Sequence, residues 1–165
     1  MKNNTFESLY AELKQQLSTL DRDNTLMVGI HTGGYWLAEQ LHAELGFKQP
    51  LYAVSTTLQR DDFASSGLHK QNLPSRLPLN LQGAPVLLVD DVLFTGRSIR
   101  AAINELFEFG RPATIKLAVL AMREGRQLPI SADFSGGTVQ VPAGQRLALS
   151  KDETGKLALN LMDNK

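Results

Sequence analysis

The sequence predicts an α/β fold, a mainly parallel sheet flanked by helices with a small antiparallel annex. Short apolar runs at 26–30, 86–89 and 114–121 are typical of strands buried on both faces. Apolar residues at helical spacing follow the first two of these runs. The last part of the chain, 131–165, contains short strand-like segments separated by turns, which predicts the annex.

The first half of the chain begins with a predicted N-terminal helix within residues 1–25. Asn4 is the expected N-cap, because Glu7 follows at capping-box spacing. A strand over 26–30 and a helix over 34–45 come next, and Gly46 is expected to end that helix. A second strand is predicted over 51–55. The apolar face of the first helix comprises Phe6, Leu9, Tyr10, Leu13, Leu17 and Leu20.

The second half begins with a long segment, 59–84, that is rich in Pro, Gly, Ser and Asn and lacks periodicity. A loop of this length in a compact domain is usually functional or disordered. After the strand at 86–89, a helix is predicted from the spacing of Ile99, Ala102, Ile103, Leu106 and Phe107. No repeat or second domain is visible, so we expect one domain over 1–165.

Composition excludes several classes of protein. The chain has 165 residues, of which 42% are hydrophobic and 21% charged, as in ordinary globular domains. It has no cysteine, which rules out disulfides and thiolate metal sites. No apolar run is long enough to span a bilayer and no secretory signal is visible, so the expected location is the cytoplasm. The 17 basic and 17 acidic side chains balance, which counts against strong nucleic-acid binding.

The stretch 86–98 carries the strongest chemical signal. Two carboxylates, Asp90 and Asp91, stand where the strand is expected to end, and a turn then leads to the next helix, with Thr95 or Gly96 at its N-cap. Carboxylates accept hydrogen bonds from sugar hydroxyls, while N–H groups at a helix start attract an anion. The missing Cβ of Gly96 would also let a phosphate approach the backbone closely. The combination fits a ribose 5-phosphate, although helix capping alone could also explain these residue types.

A second loop, 31–34, follows the predicted strand 26–30. Ligands bind outside the carboxyl ends of strands in open α/β sheets. We therefore expect this loop and the acid pair Asp90–Asp91 to lie at the same edge of the sheet.

The stretch 86–101 resembles the phosphoribosyl pyrophosphate (PRPP) signature of type I phosphoribosyltransferases. It has an apolar run, two acids, an apolar pair, an aromatic residue and Thr-Gly, in that order. Weaker similarity at 29–34, 57–62 and 117–130 points to the PyrR family within this superfamily. That family pairs uracil phosphoribosyltransferase activity with regulation of pyrimidine operon messenger RNA. The resemblance spans residues 27–149.

The resemblance implies a reaction of PRPP with uracil to give UMP and pyrophosphate. It implies Mg²⁺ carried by PRPP oxygens and water rather than by a metal motif, and a homodimer or homotetramer. Asp90 and Asp91 would hold the ribose hydroxyls, and Arg60 would meet pyrophosphate when a mobile loop over 59–84 closes, so these three are the implied catalytic residues. The implied substrate-binding residues are His31, Thr32, Gly33, Gly34, Arg60, Asp61, Asp90, Asp91, Val92, Leu93, Phe94, Thr95, Gly96, Arg97, Ser98, Met122 and Arg123.

Three of these positions depart from the pattern that the resemblance implies. PyrR sequences usually carry Arg where this chain has His31 and Gly33, and Asp where it has Met122. The loss of two guanidinium groups removes bidentate contacts to phosphate or RNA. The change at Met122 concerns the segment that contributes to the base pocket, which leaves a base other than uracil open.

Three hypotheses follow from the sequence. The first is an active uracil phosphoribosyltransferase, with or without a role in regulating pyrimidine biosynthesis genes. The second is an RNA-binding attenuator of pyrimidine operons, with or without catalytic activity. The third is a sensor that binds PRPP or uridine nucleotides without turnover. The phosphate loop and the acid pair support nucleotide binding in all three.

Overall fold

The computed structural model describes residues 4–56, 75–78 and 80–164. Within these residues the chain alternates helices and strands before ending in two successive strands. The elements are α1 (Phe6–Leu17), β1 (Leu26–Ile30), α2 (Gly33–Leu45), β2 (Tyr52–Val54), β3 (Pro85–Leu93), α3 (Arg97–Phe107), β4 (Thr114–Met122), β5 (Phe134–Ser135), β6 (Gln145–Lys151) and β7 (Leu157–Asp163). The predicted fold class is confirmed.

The main sheet has five strands in the order β2-β1-β3-β4-β5, and every neighbouring pair is parallel. Its register pairs Gly29 with Val89 and Leu93 with Met122. The five carboxyl ends therefore meet at one edge of the sheet. This is the edge where open α/β sheets bind ligands.

The core lies on both faces of the sheet, which explains the continuous apolar character of β3. Leu87 and Val89 belong to a cluster with buried residues of α1 and α2. Val86 and Leu88 belong to a second cluster on the other side, together with Ile99 and other buried residues of α3. In α3, however, Phe107 lies outside the core, with 53% of its surface exposed, so the predicted apolar face ends at Leu106.

The first helix differs from the prediction at both ends. Its N-cap is Thr5 rather than Asn4, because the Thr5 hydroxyl oxygen accepts a hydrogen bond of 3.2 Å from the Ser8 N–H. The helix ends at Leu17, so Leu20 lies beyond it and packs against the core from the following turn. The buried face is otherwise the predicted one.

The strand that carries the acid pair is longer than predicted. The two carboxylates do not follow β3 but lie within it, and the strand continues to Leu93. The physical reason is that β4 pairs with β3 along this whole length, with Asp90 opposite Val119 and Leu93 opposite Met122. Pairing with a neighbouring strand, rather than local hydrophobicity, decides where β3 ends.

The prediction of an antiparallel annex over 131–165 is correct for its second part and wrong for its start. Strands β6 and β7 form a two-stranded antiparallel sheet, which we call the hairpin. Residues Phe134–Ser135 instead extend the parallel sheet beside β4. Thr138 forms a single parallel bridge with Met122. Phe134–Ser135 and Thr138 belong to very short segments, so pairing with β4 decides whether they run parallel or antiparallel in the sheet.

Most of the long segment predicted as a mobile loop, 59–84, lies outside the described residues. The described part includes Arg76, whose backbone N–H and C=O both bond to Ala53 at the sheet edge, at 2.7 and 2.9 Å. Across the parts of the chain that the structure describes, none of the helices has the length and apolar character needed to cross a membrane.

Candidate active site

The first loop at the carboxyl edge joins β1 to α2. It contains a cis peptide bond between His31 and Thr32. Thr32 is exposed and occupies the N-cap of α2 without a side-chain hydrogen bond to the helix. Gly33 and Gly34 form the first turn, so the N–H groups of a helix start face this edge.

The two glycines pack directly against the acid pair. A Cβ atom at Gly33 would lie 2.5 Å from Oδ2 of Asp91. At Gly34 it would lie 2.5 Å from the carbonyl oxygen of Val89 and 2.8 Å from Cα of Asp90. Only glycine allows the loop to approach the strand this closely. The expectation that loop 31–34 and the acid pair share an edge is confirmed.

The two carboxylates are held by backbone N–H groups. Oδ1 of Asp90 accepts a hydrogen bond from the Asp91 N–H, and Oδ1 of Asp91 accepts one from the Val92 N–H, both at 2.9 Å. Oδ2 of Asp91 also accepts a hydrogen bond of 3.3 Å from the Leu149 N–H of β6. Sequence reasoning missed this last contact, because Leu149 lies 58 residues further along the chain.

The second loop, 94–96, leads from β3 into α3. Gly96, one of the two predicted candidates, is the N-cap, with φ of 94°. Its Cβ would meet Leu128 and Ile130 at ordinary contact distance, and the positive φ by itself accounts for glycine at this position. The Thr95 hydroxyl oxygen accepts a hydrogen bond of 3.1 Å from the Arg97 N–H. Val92 and Leu93 end the strand, and Ser98 lies in the first turn of α3.

The third loop follows β4 and is hydrogen-bonded to the second loop and the start of α3. The Thr95 carbonyl oxygen accepts hydrogen bonds from the N–H groups of Gln127 and Leu128, at 3.0 and 3.2 Å. The Arg97 guanidinium donates from Nε to the side-chain oxygen of Gln127 at 3.0 Å. The two loops therefore form one connected surface at the carboxyl edge.

The side chain of Arg123, in the third loop, contacts the ring of Phe94, in the second. The guanidinium carbon of Arg123 lies 3.8 Å from the centre of the Phe94 ring, a cation–π geometry. Arg123 also donates from Nη1 to the Gln145 carbonyl oxygen of β6 at 3.3 Å. Its buried Nε has no hydrogen-bond partner among the described residues. Met122, the last residue of β4, is half-buried beside them.

Comparison with known proteins decides the family. A family model described as the phosphoribosyl transferase domain matches residues 2–145. A protein of Nitrosococcus oceani named "Bifunctional protein PyrR" is 39% identical over 160 residues, which cover 96% of this chain and 90% of that protein. The chain belongs to the PyrR family of type I phosphoribosyltransferases.

A second relative agrees with this assignment, and a solved structure shares the fold. A PyrR protein of Pseudomonas aeruginosa is 45% identical over 147 residues, with 89% of this chain and 82% of that protein covered. The hypoxanthine phosphoribosyltransferase of Trypanosoma cruzi has the same fold, with a TM-score of 0.64. It is 16% identical, and the match covers 98% of this chain and 95% of that one.

His31 opens the first loop and is one of the positions at which the sequence departs from the pattern implied by the resemblance. Its ring is half-buried and lies 5.1 Å from the ring of Tyr35, and its Nδ1 has no hydrogen-bond partner within the described part of the chain. Burial lowers the pKa of the His31 imidazole below its usual range, and the positive charge of Arg76 lowers it further. The lowered pKa means that the His31 imidazole takes up a proton less readily in the folded chain than a free histidine does.

This lowered pKa gives a testable pH dependence of stability. The unfolded chain takes up a proton on His31 near pH 6.5, but the folded chain does so only at lower pH, so stability falls as the pH decreases through this interval. We expect His31→Gln to reduce the loss of unfolding free energy between about pH 7.5 and 5.5, as measured by urea titration. An identical loss of unfolding free energy in His31→Gln would contradict the lowered pKa of His31 in the folded chain.

Arg60 and Asp61 lie outside the described residues, so the predicted lid contact stays a prediction. The other sequence-predicted residues lie on the three loops or on the strand and helix ends that border them. The described residues contain no group of three or more His, Cys, Asp or Glu side chains that could hold a metal ion.

Proposed function

We propose that the chain is a uracil phosphoribosyltransferase, which converts PRPP and uracil to UMP and pyrophosphate. The observation that carries this proposal is the packing of Gly33 and Gly34 against the acid pair. It sets hydrogen-bond acceptors for a ribose diol directly beside a helix start suited to pyrophosphate. The Gly96 helix start, reached through the same strand, supplies donors for the 5-phosphate.

The proposed reaction requires the site to stabilise charge that develops in the transition state. Displacement at the anomeric carbon places positive charge on the ribose ring and negative charge on the leaving pyrophosphate. Backbone N–H groups of loop 31–34 and, in this proposal, Arg60 stabilise the leaving group. The acid pair holds the ribose, and because neighbouring strand residues face opposite sides, one of the two contacts the sugar directly.

The base is assigned to the loop after β4. Arg123 follows Met122, the last residue of β4, and its guanidinium carbon lies 3.8 Å from the centre of the Phe94 ring. An ordered guanidinium donates hydrogen bonds well to a carbonyl oxygen, which uracil offers twice. Support for uracil, rather than a purine, comes from the PyrR relatives.

Mg²⁺ fits this site as an ion carried by PRPP. Asp90 and Asp91 are consecutive carboxylates at the carboxyl edge, one of which would lie at the ribose, and Mg²⁺ prefers to keep several waters and to bind through one or two carboxylates and substrate phosphates. When bound, the ion would neutralise part of the pyrophosphate charge.

The proposed reaction is tested by pyrophosphate release from PRPP and Mg²⁺ in the presence of single bases. We expect release with uracil and none with hypoxanthine, guanine, orotate or no base. Pyrophosphate release with a purine alone would show that the base is a purine and not uracil. No release with any base, from protein that binds PRPP, would favour the sensor or regulator hypotheses.

Regulation of pyrimidine genes is a second proposed role, supported by relatives named "Bifunctional protein PyrR". Its partner would be pyrimidine operon messenger RNA. The balanced charge and the loss of Arg at positions 31 and 33 weaken this role. Labelled pyrimidine leader RNA should bind with an affinity that falls steeply with salt if the role is retained. RNA binding that does not depend on salt, or no RNA binding, would contradict the regulatory role.

A further inference from the structure

A cavity of about 180 Å³ lies at the amino edge of the main sheet, where its parallel strands begin. It is lined by the first residues of β3 and β4 and by the turn that follows α1. Leu87 in this cavity and Asp91 at the carboxyl edge are four residues apart on β3, which corresponds to about 13 Å. The cavity is therefore separate from the three loops of the candidate active site.

The floor of the cavity is apolar. It is formed by Pro85, Val86 and Leu87 of the central strand, and Leu20 closes one side from the turn after α1. A cavity of about 150 Å³ with apolar walls is known to hold a benzene molecule, so this one accommodates a ligand of about 6 to 10 non-hydrogen atoms. The middle of such a ligand would be a short hydrocarbon.

Thr25 places a buried hydroxyl in the wall of this cavity. The residue stands directly before β1, and 7% of its surface is exposed. Its N–H donates to the Asp21 carbonyl oxygen at 3.1 Å, but its hydroxyl has no hydrogen-bond partner among the described residues. A buried polar group without a partner costs free energy, and valine would fill the same space without that cost. Packing alone therefore does not explain a threonine here, whereas a polar ligand does.

Asp21 supplies negative charge on the β1 side of the cavity. Its Oδ1 accepts hydrogen bonds from the N–H groups of Asp23 and Asn24, at 3.1 and 3.3 Å, and its Oδ2 accepts one of 2.8 Å from Nδ2 of Asn24. The side-chain hydrogen bond from Asn24 lowers the pKa of the Asp21 carboxyl below its usual range, so the group is ionised at neutral pH. Because a carboxylate offers about four acceptor positions, Oδ2 can accept a further hydrogen bond from a ligand.

Lys116 supplies positive charge on the opposite side. It lies in β4 opposite Leu87, and its exposed side chain forms no hydrogen bond or ion pair within the described part of the chain. Strands β1 and β4 flank β3 on its two sides, so Lys116 and the Asp21–Thr25 turn are about two strand spacings, or about 10 Å, apart. A ligand that contacts both charges therefore carries the opposite charges at the two ends of a short chain.

We propose that this cavity binds a short linear zwitterion of the ω-amino acid class. The ammonium group of the ligand donates to Asp21 and to the Thr25 hydroxyl oxygen, and its carboxylate meets Lys116. Its methylene chain lies on Pro85 and Leu87. The inference does not rest on the proposed reaction, because all of its residues lie at the amino edge of the sheet.

Three probes of similar length separate the two charges of the ligand. 6-Aminohexanoate carries both charges, hexanoate lacks the amine and hexylamine lacks the carboxylate. We expect 6-aminohexanoate to bind the full chain at least about fivefold more tightly than either of the other two, as measured by NMR titration of the ¹⁵N-labelled protein. The amide resonances of Thr25, Leu87 and Lys116 should shift during the titration.

Two variants test the individual contacts. Lys116→Met keeps the length of the side chain and removes its charge, so its affinity for 6-aminohexanoate should fall about fivefold, while its affinity for hexylamine should not change. Thr25→Val removes the unpartnered hydroxyl, so the free energy of unfolding should stay the same or rise while 6-aminohexanoate binds more weakly. Lys156→Met removes an exposed charge from the turn between β6 and β7 and should keep the original affinity.

Several results would overturn this inference. One is equal affinity of the unmodified protein for 6-aminohexanoate and for either singly charged probe. Another is the absence of shifts at Thr25, Leu87 and Lys116. Unchanged affinity for 6-aminohexanoate in Lys116→Met or in Thr25→Val would equally contradict the assigned contacts.

Discussion

Gly34→Ala is expected to abolish PRPP binding and to lower the free energy of unfolding by about 1–3 kcal/mol. The added Cβ would lie 2.5 Å from the Val89 carbonyl oxygen and 2.8 Å from Cα of Asp90. Both are backbone atoms of a central strand and cannot yield as a flexible side chain would. The first turn of α2 must then move away from the acid pair, which separates the pyrophosphate loop from the ribose position.

Gly46→Ala is the matched control for this prediction. Gly46 ends the same helix with φ of 71°, and a Cβ there would meet nothing within 4 Å. The change adds backbone strain of about 1–2 kcal/mol, because a left-handed conformation is unfavourable for Ala. Stability should fall in both variants, whereas calorimetric titration with PRPP should show binding lost only in Gly34→Ala. PRPP binding retained by Gly34→Ala would contradict the close packing of loop 31–34 on β3.

Asp90→Asn is expected to weaken PRPP binding by about tenfold to hundredfold, since a hydrogen bond to a charged group contributes about 1.5–3 kcal/mol. Asp90 is buried at the carboxyl edge, with 7% of its surface exposed. The measurement is a titration of folded variant with PRPP and Mg²⁺. Glu153→Gln, which removes a carboxylate from the exposed turn between β6 and β7, should keep the original affinity. Unchanged affinity in Asp90→Asn would remove Asp90 from the ribose site.

The sequence predicts the outline of the site because local patterns and one general rule suffice for it. The apolar runs identify β1, β3 and β4, and parallel strands bring their carboxyl ends to one edge. From this alone, loop 31–34 and the acid pair are expected to meet, and they do. The start of α3 near Gly96 is also predictable from local sequence, because a helical pattern begins directly after this residue.

The features that the sequence did not predict depend on tertiary contacts. The continuation of β3 through Asp90 and Asp91 follows from pairing with β4, which no local pattern shows. The parallel direction of Phe134–Ser135 is likewise decided by its neighbour in the sheet. The bond from Leu149 to Asp91 joins residues far apart in the chain, and an ordinary apolar strand residue gives no sign that its N–H serves a site.

The most direct test of this account is the formation of UMP from PRPP, Mg²⁺ and uracil, measured side by side in the unmodified protein and in Asp90→Asn. We expect uracil-dependent UMP formation by the unmodified protein. Asp90→Asn should reduce the ratio of turnover to Michaelis constant for PRPP by about tenfold or more. No UMP from unmodified protein that binds PRPP, or full activity in a folded Asp90→Asn variant, would contradict the assignment of this edge of the sheet as a uracil phosphoribosyltransferase site.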